Sequence, residues 1–396
     1  MKYLSLLFVI FFISCSSKSV RKIDFDFREY KFTSEIENLL NKTADGGLAA
    51  RQYSLISENK KIIESLGLGA DTIKPVSETK WKNIQEEYKF TDAVQHIVKE
   101  AEKFDFVLVN ENHNIPQHRD FVKRLLKDLA DIGYTNIALE AMTMTTNGEQ
   151  HDFKIEERGY PITNTGLYIQ EPQFSNLVRT AVQYGYKIIG YDTGSGEDRE
   201  IQGARNILAN TKKKDGTQGK TVVLCGWDHI KEAQTGNYWN FALAGRIKEY
   251  TNKDILTVNQ TIYYEKSKQI YEDSIYQWVD VEQPMVFLDS AGEAFDVQKN
   301  KDWYDLFVFH PRTTYQEGFP NWLSDPLEIV NFKCPAVDLK GPCKIFVFDI
   351  NDNVQDAIPI YVLEVDKTRK NMRIPQLKNS ASKIVLSNGV ESYLIE

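Results

Sequence analysis

The distribution of apolar and polar positions divides the chain into three stretches. From 104 to 310, short apolar runs alternate with helix-spaced patterns. Phe106 to Val109, Ile137 to Leu139, Lys187 to Tyr191, Thr221 to Cys225, Asp254 to Val258, Met285 to Leu288 and Leu306 to Phe309 are runs of β-formers, as expected of strands covered on both faces. Between the first two, Phe121, Leu125, Leu126 and Leu129 recur at helical spacing through Ala130, and residues 174–184, 198–210 and 238–250 carry comparable patterns. Strands alternating with helices predict an α/β domain, a mostly parallel sheet with flanking helices, over residues 104–330. Residues 31–103 predict helices, with apolar faces such as Ile36, Leu39 and Leu40. From 331 to 396 the helical patterns stop. Lys344 to Asp349, Ile360 to Val365 and Lys383 to Leu386 are β-rich, with Asn388-Gly389 as a turn signal, and predict a small antiparallel β module.

The carboxyl ends of parallel strands form the ligand crevice of an open α/β sheet. The residues on which these strands stop are therefore the candidate chemistry. They are Glu111 and His113, then Glu140, Asp192, His229, Asn259 with Gln260, and His310. Three of the chain's six histidines fall at these positions. Right-handed crossovers bring all of these ends to one edge. The expected pocket is Glu111, His113, Glu140, Asp192 and His229. Arg199 begins the helix after Asp192 and could clamp an anion; an ordinary surface ion pair is the alternative. His118 and Arg119 open the first helix, where either could line the pocket, with a solvated face as the favoured alternative. The loop-like stretch 143–172 is long enough to be a functional lid. Tyr160, Tyr168, Tyr191 and Trp227 lie near the mouth, either to stack on a ring or to pack the core.

Two histidines among carboxylates suit two kinds of chemistry. One is a divalent metal held by Glu111, His113, Glu140, Asp192 and His229. The other is metal-free hydrolysis with a histidine as base and carboxylates that orient it. No GxSxG, HExxH, P-loop or GxGxxG followed by a helix occurs, against serine hydrolases of that type, zincins and nucleotide-dependent enzymes.

Composition alters this picture at its margins. The chain has 396 residues, 42% hydrophobic and 12% aromatic, enough for a sizeable core. Its net charge is -8 and no basic block exceeds Lys212 to Lys214, so nucleic acid is not an expected partner. At the N-terminus Lys2 precedes an apolar run, Tyr3 to Ile13, too short to span a bilayer and of signal-peptide proportions. With Ser14-Cys15 after it, this resembles a bacterial lipoprotein signal. That resemblance implies removal of residues 1–14, lipid on Cys15, a polar tether over 15–30 and attachment to the membrane of the cell envelope. Cys225 is expected as a small buried hydrophobe. Cys334 and Cys343 flank a Pro- and Gly-containing loop and either pair or stay as unrelated thiols.

Taken together, VNENHNIP from Val109 to Pro116 with His118, then ALE ending on Glu140, GYD ending on Asp192, REIQGARN from Arg199 to Asn206, and LCGWDH ending on His229 resemble the superfamily of erythromycin esterases, ChaN-type haem-uptake lipoproteins and Tiki/TraB proteins. The resemblance covers roughly residues 95–260. Asn110 departs from it, standing where glycine is common. The resemblance implies an α/β fold and a pocket at Glu111, His113, Glu140 and His229. It also implies either a hydrolase of ester, lactone or amide bonds, with or without a metal, or a lipoprotein that captures haem or another small ligand. In the hydrolase reading Glu111 and His113 activate water, Glu140 and His229 complete the site, and Arg199 stabilises charge. In the haem reading, Tyr and His are available iron ligands, and loop 143–172 could cover a porphyrin.

Overall fold

The computed structural model describes residues 19–26, 29–235, 239–296, 302–324, 326–337, 339–365 and 371–396. The expected signal and Cys15 lie outside the described residues. The elements begin with β1 (Val20–Ile23), helices α1 (Thr33–Thr43), α2 (Gly46–Leu55), α3 (Asn59–Leu66) and α4 (Glu78–Glu87), β2 (Lys89–Asp92) and α5 (Ala93–Ala101). The central unit follows: β3 (Phe106–Glu111), α6 (Pro116–Asp131), β4 (Asn136–Leu139), α7 (Ile155–Arg158), α8 (Pro172–Gln183), β5 (Lys187–Gly190), α9 (Gly196–Thr211) and β6 (Thr221–Gly226). Next come α10 (Leu243–Thr251), β7 (Leu256–Tyr263), β8 (Met285–Leu288), β9 (Leu306–Phe309), β10 (Tyr315–Gln316) and β11 (Phe319–Pro320). The chain ends with β12 (Leu327–Lys333), β13 (Cys343–Asp349), β14 (Tyr361–Val365), β15 (Asn371–Leu377), β16 (Ser382–Ser387) and β17 (Ser392–Ile395).

An eight-stranded sheet in the order β2-β8-β9-β7-β3-β6-β4-β5 forms the centre. The six strands from β9 to β5 pair in parallel, and β8 and β2 close one edge antiparallel. Because side chains alternate across a strand, Val107 and Val109 join the core under α5, α6 and α8, whereas Phe106 and Leu108 join the one under α9 and α10. Both faces are covered, which is why the strands are continuous apolar runs rather than alternating ones. A mostly parallel sheet with flanking helices and a separate antiparallel sheet is the architecture expected from the pattern.

Several boundaries differ from the pattern. The span 15–30 is not wholly a tether: β1 adds antiparallel to β17, Val20 opposite Ile395 and Ile23 opposite Ser392. The open edge of β17 offers unpaired backbone groups, and any adjacent extended segment can satisfy them. The stretch 31–103 contains β2, whose Phe90 stacks on Phe287 of β8 with ring centroids 4.3 Å apart. β7 runs past Asn259 and Gln260 to Tyr263, with a register shift against β9. β12 starts at Leu327 and pairs with β15. The N-terminal helices and the C-terminal sheet share one core, in which Ile36, Ala49, Tyr53 and Ile62 meet Phe346, Phe348, Val362 and Val385. Cys225 is buried as expected, and Cys334 and Cys343 are not joined in a disulfide. No helix among the described residues is long and apolar enough to cross a membrane.

Candidate active site

Four strands lying side by side, β3-β6-β4-β5, deliver the site at their carboxyl ends. Glu111 is the last residue of β3 and is buried. Its Oε1 accepts from His113 Nδ1 at 2.8 Å. Arg119, in the first turn of α6, donates to both Glu111 oxygens, Nε to Oε2 at 2.8 Å and Nη2 to Oε1 at 3.1 Å. Its Nη1 reaches Glu171 Oε2 at 2.9 Å, its Nη2 also donates to the His113 carbonyl at 2.7 Å, and its face lies 4.6 Å from the centre of the Phe174 ring. Glu171 caps α8, accepting from the backbone N–H groups of Gln173 and Phe174 ahead of Pro172 at the first helical position. Burial alone would raise the Glu111 carboxyl. The Arg119 charge and the hydrogen bonds from His113 and Arg119 overcome it and hold the pKa at about 2. A carboxylate only accepts, so His113 donates from Nδ1, and Nε2 is the ring nitrogen left facing Glu140.

His229 repeats this arrangement from the other side. It lies in the short turn Trp227–Ile230 after β6, and its Nδ1 is 2.8 Å from Glu200 Oε2. Glu200 is buried and also accepts from the Leu243 N–H at 2.8 Å. Between the two imidazoles lies Glu140, just past β4. Its Oε1 is 3.9 Å from His113 Nε2 and 3.7 Å from His229 Nε2. Its Oε2 accepts from the Gly226 N–H at 2.5 Å, and Oε1 from Arg199 Nη2 at 2.5 Å. Arg199 also forks onto Asp192, Nε to Oδ1 at 2.7 Å and Nη2 to Oδ2 at 2.8 Å, and its Nη1 is 3.3 Å from His229 Nε2. Burial would lower the His229 pKa, but the hydrogen bond to Glu200 and the charges of Glu140 and Glu200 leave it above the ordinary imidazole value, Arg199 opposing them. Neutral His229 can accept from Arg199; protonated, it faces the Glu140 oxygen.

The mouth is aromatic. Tyr168, from the long loop, stacks on His113 at 4.3 Å, and Trp227 meets the same ring edge-on at 4.7 Å. Trp239 stacks on His229 at 4.8 Å. Trp227 takes φ 34°, a left-handed conformation unusual for so large a residue, yet its side chain is 45% exposed. Backbone strain with no packing gain is characteristic of functional sites. Asn110 holds this turn. Its Nδ2 donates to the Trp227 carbonyl at 2.9 Å while its Oδ1 accepts from the Gln260 N–H at 2.8 Å, a bridge that glycine in its place would lack. Gly226 is required for another reason: a Cβ there would sit 2.7 Å from His113 Nε2.

Glu111, His113, Glu140, Asp192, Arg199 and His229 are thus brought together, and Arg199 is no surface pair. The other strand ends are not part of this group. His310 is fully buried, hydrogen-bonded through Nε2 to Gln260 Oε1 at 3.0 Å and lying 5.3 Å from the His118 ring. Burial drives the His310 pKa down to about 3 and that of His118 well below the usual value. Asn259 and Gln260 are interior to β7 and bond its neighbours. Tyr160 packs against Arg158 and Arg179, and Tyr191 lies under the site. Three residues were missed. Arg119 is buried rather than solvated, because Glu111 and Glu171 both require a cation. Glu171 and Glu200 carry the second layer; Glu171-Pro172 was a legible helix start, whereas nothing local marked Glu200.

A divalent metal does not fit this arrangement. Both oxygens of Glu111, Glu140 and Asp192 are already held by arginine or backbone N–H groups. Among the described residues no three His, Cys, Asp or Glu side chains are placed to hold an ion. The cavity bounded by Glu140, Asp192, Arg199, Glu200 and His229 is about 10 Å³, the size of a single water, and the aromatic mouth lies above it.

No family pattern matches this sequence, and no curated protein is similar to it at a significant level. Three solved structures share features of the fold. The type III effector HopBA1 is 9% identical with a TM-score of 0.33, the match covering 61% of this chain and 97% of that one. ChaN of Campylobacter jejuni, described with cofacially bound haem, is 12% identical with a TM-score of 0.32, covering 57% and 97%. A structure described among bacterial protein toxins is 13% identical with a TM-score of 0.28, covering 58% and 47%. These likenesses are of fold alone.

Proposed function

We propose that the chain is a metal-independent hydrolase of carboxylic acid derivatives (esters, lactones or amides) that works through a pair of histidines. One observation carries this reading: two imidazoles, each with Nδ1 on a buried carboxylate, turn their Nε2 atoms toward the same Glu140 oxygen. His113 Nε2 takes a proton from water, and the water oxygen attacks the substrate carbonyl. In the same step His229 Nε2–H protonates the leaving oxygen or nitrogen and the acyl bond breaks, giving the acid and the alcohol or amine. Arg199, fixed by Asp192, is the cation beside the reacting atoms, and Glu140 spaces the two rings. The signal-like N-terminus supports a lipid anchor at Cys15 in the bacterial envelope, checked by loss of palmitate labelling in Cys15→Ser.

The test is turnover of 4-nitrophenyl acetate, a γ-lactone and an anilide by EDTA-dialysed protein. Hydrolysis of at least one of them, unaffected by chelation, is expected. Activity lost on dialysis and restored by zinc, or no turnover of any of the three, would overturn the reading. Gly226→Ala should lower turnover by about 10²-fold, since its Cβ must push the His113 ring aside and a displacement of ~1 Å has that effect. The thermal midpoint should stay near that of the parent, and a variant with full activity would show that the His113 ring position is unimportant.

A further inference from the structure

Two arginines reach the site directly and are saturated, and a third touches the ring that stacks on His113. Arg119 makes four hydrogen bonds to Glu111, Glu171 and the His113 carbonyl. Arg199 is held by Asp192 and Glu140 and touches His229. The third is Arg51, on α2, in the N-terminal segment outside the stretch that carries the resemblance. Its side chain makes no hydrogen bond or ion pair among the described residues, and its Nε is buried without a partner. What it does contact is Tyr168, with the guanidinium carbon 5.8 Å from the ring centre. Tyr168 is also the ring stacked on His113. One aromatic ring therefore touches both the free guanidinium and the imidazole proposed as base.

A guanidinium cannot shed its charge, and a buried N–H without an acceptor costs about 1–3 kcal/mol. Native proteins retain few such groups, and each has a reason. The backbone beneath Arg51 is fixed, since Ala49, Ala50, Gln52 and Tyr53 are all buried. We propose that Arg51 determines specificity by binding a carboxylate on the substrate. The substrate class is then an ester, lactone or amide that carries a carboxylate a few bonds from the scissile carbonyl. This rests on the hydrolase reading for the reaction, though not for the anion site. The neighbouring charges select the kind of anion. Five carboxylates, Glu111, Glu140, Glu171, Asp192 and Glu200, stand against two arginines, Arg119 and Arg199, so the surroundings are acidic. A singly charged planar carboxylate, matched to the guanidinium fork, is repelled less there than a phosphate dianion.

The experiment compares benzoate with benzamide, which share a ring and differ in charge, by isothermal titration calorimetry on the purified protein. Benzoate should bind at least ~10-fold more tightly than benzamide, a difference of about 1.4 kcal/mol. Arg51→Gln should abolish that preference, Arg51→Lys should keep part of it, and His113→Ala should keep it. Circular dichroism establishes that the variants fold. Failure of benzoate to bind, equal binding of both probes, a preference that survives Arg51→Gln, or equal weakening of both probes overturns the proposal; the last result would make Arg51 merely a support for Tyr168. Carboxylate preference without turnover of any ester, lactone or amide would uphold the anion site and remove the hydrolase reading.

Discussion

Arg119→Met is expected to destabilise the fold by about 3–5 kcal/mol, the cost of breaking a buried ion pair from one side. The guanidinium is fully buried and shared by two buried carboxylates, Glu111 and Glu171. Methionine matches much of its apolar stem, so the loss is that of the guanidinium: its ion pairs and its contact with the Phe174 ring. Lysine should recover only part of it, because one ammonium cannot reproduce the fork that reaches Glu111, Glu171 and the His113 carbonyl together. Urea unfolding measures the difference. Adding Glu111→Gln to Arg119→Met should cost less than the sum of the two, since one stranded charge is gone. Strict additivity, or a loss below ~1 kcal/mol, would contradict the shared-cation account. The acid limb gives a second readout. The Glu111 pKa is depressed to about 2, so its contribution is complete above the ordinary carboxylate range and is lost as pH falls from that range toward 2. Without Arg119 that limb should flatten.

This network shows where sequence reasoning stopped. The alternation of β-runs and helical spacing was sufficient to place the seven strands read from 104 to 310 in one sheet, because a parallel sheet covered on both faces needs continuous apolar strands. Strand ends located Glu111, Glu140, Asp192 and His229 because parallel topology brings those ends to one edge. His310 and Asn259 lie on strands of the same parallel set without joining the pocket. An edge has a length, and β9 lies far enough along it that His310 turns to Gln260 and His118 instead. Arg119 was illegible because burial of a charge depends on partners distant in sequence, and Glu171 is 52 residues away. Arg199 and Glu200 look like a surface pair because they are adjacent. On a helix, neighbours diverge by about 100°, and here one turns to Asp192 and Glu140 while the other turns to His229. Within 15–30, Val20–Ile23 were not legible as a strand for a similar reason: four residues of moderate β character become one only when a sheet edge waits for them.

His113→Ala and His229→Ala should each reduce hydrolysis by about 10²–10⁴-fold, the range for a general base or acid. Their pH profiles should separate the roles. His113 takes the proton from water, so His113→Ala should lower the rate and keep the pH limb that His229 sets. His229 must be protonated to serve the leaving group, so the rate falls at high pH. Because Glu200 and Glu140 hold its pKa above the ordinary imidazole value, that fall should begin on the alkaline side of it, and His229→Ala should lose it. Glu200→Gln keeps a hydrogen-bond acceptor for Nδ1 but removes the charge, so it should move the alkaline limb to lower pH. The double variant should be scarcely slower than the worse single one, because both rings act on one water and one leaving group around a single Glu140 oxygen. Multiplicative losses would mean that the rings work in separate steps, and identical pH limbs in both single variants would mean that the acid and base roles are not divided between them.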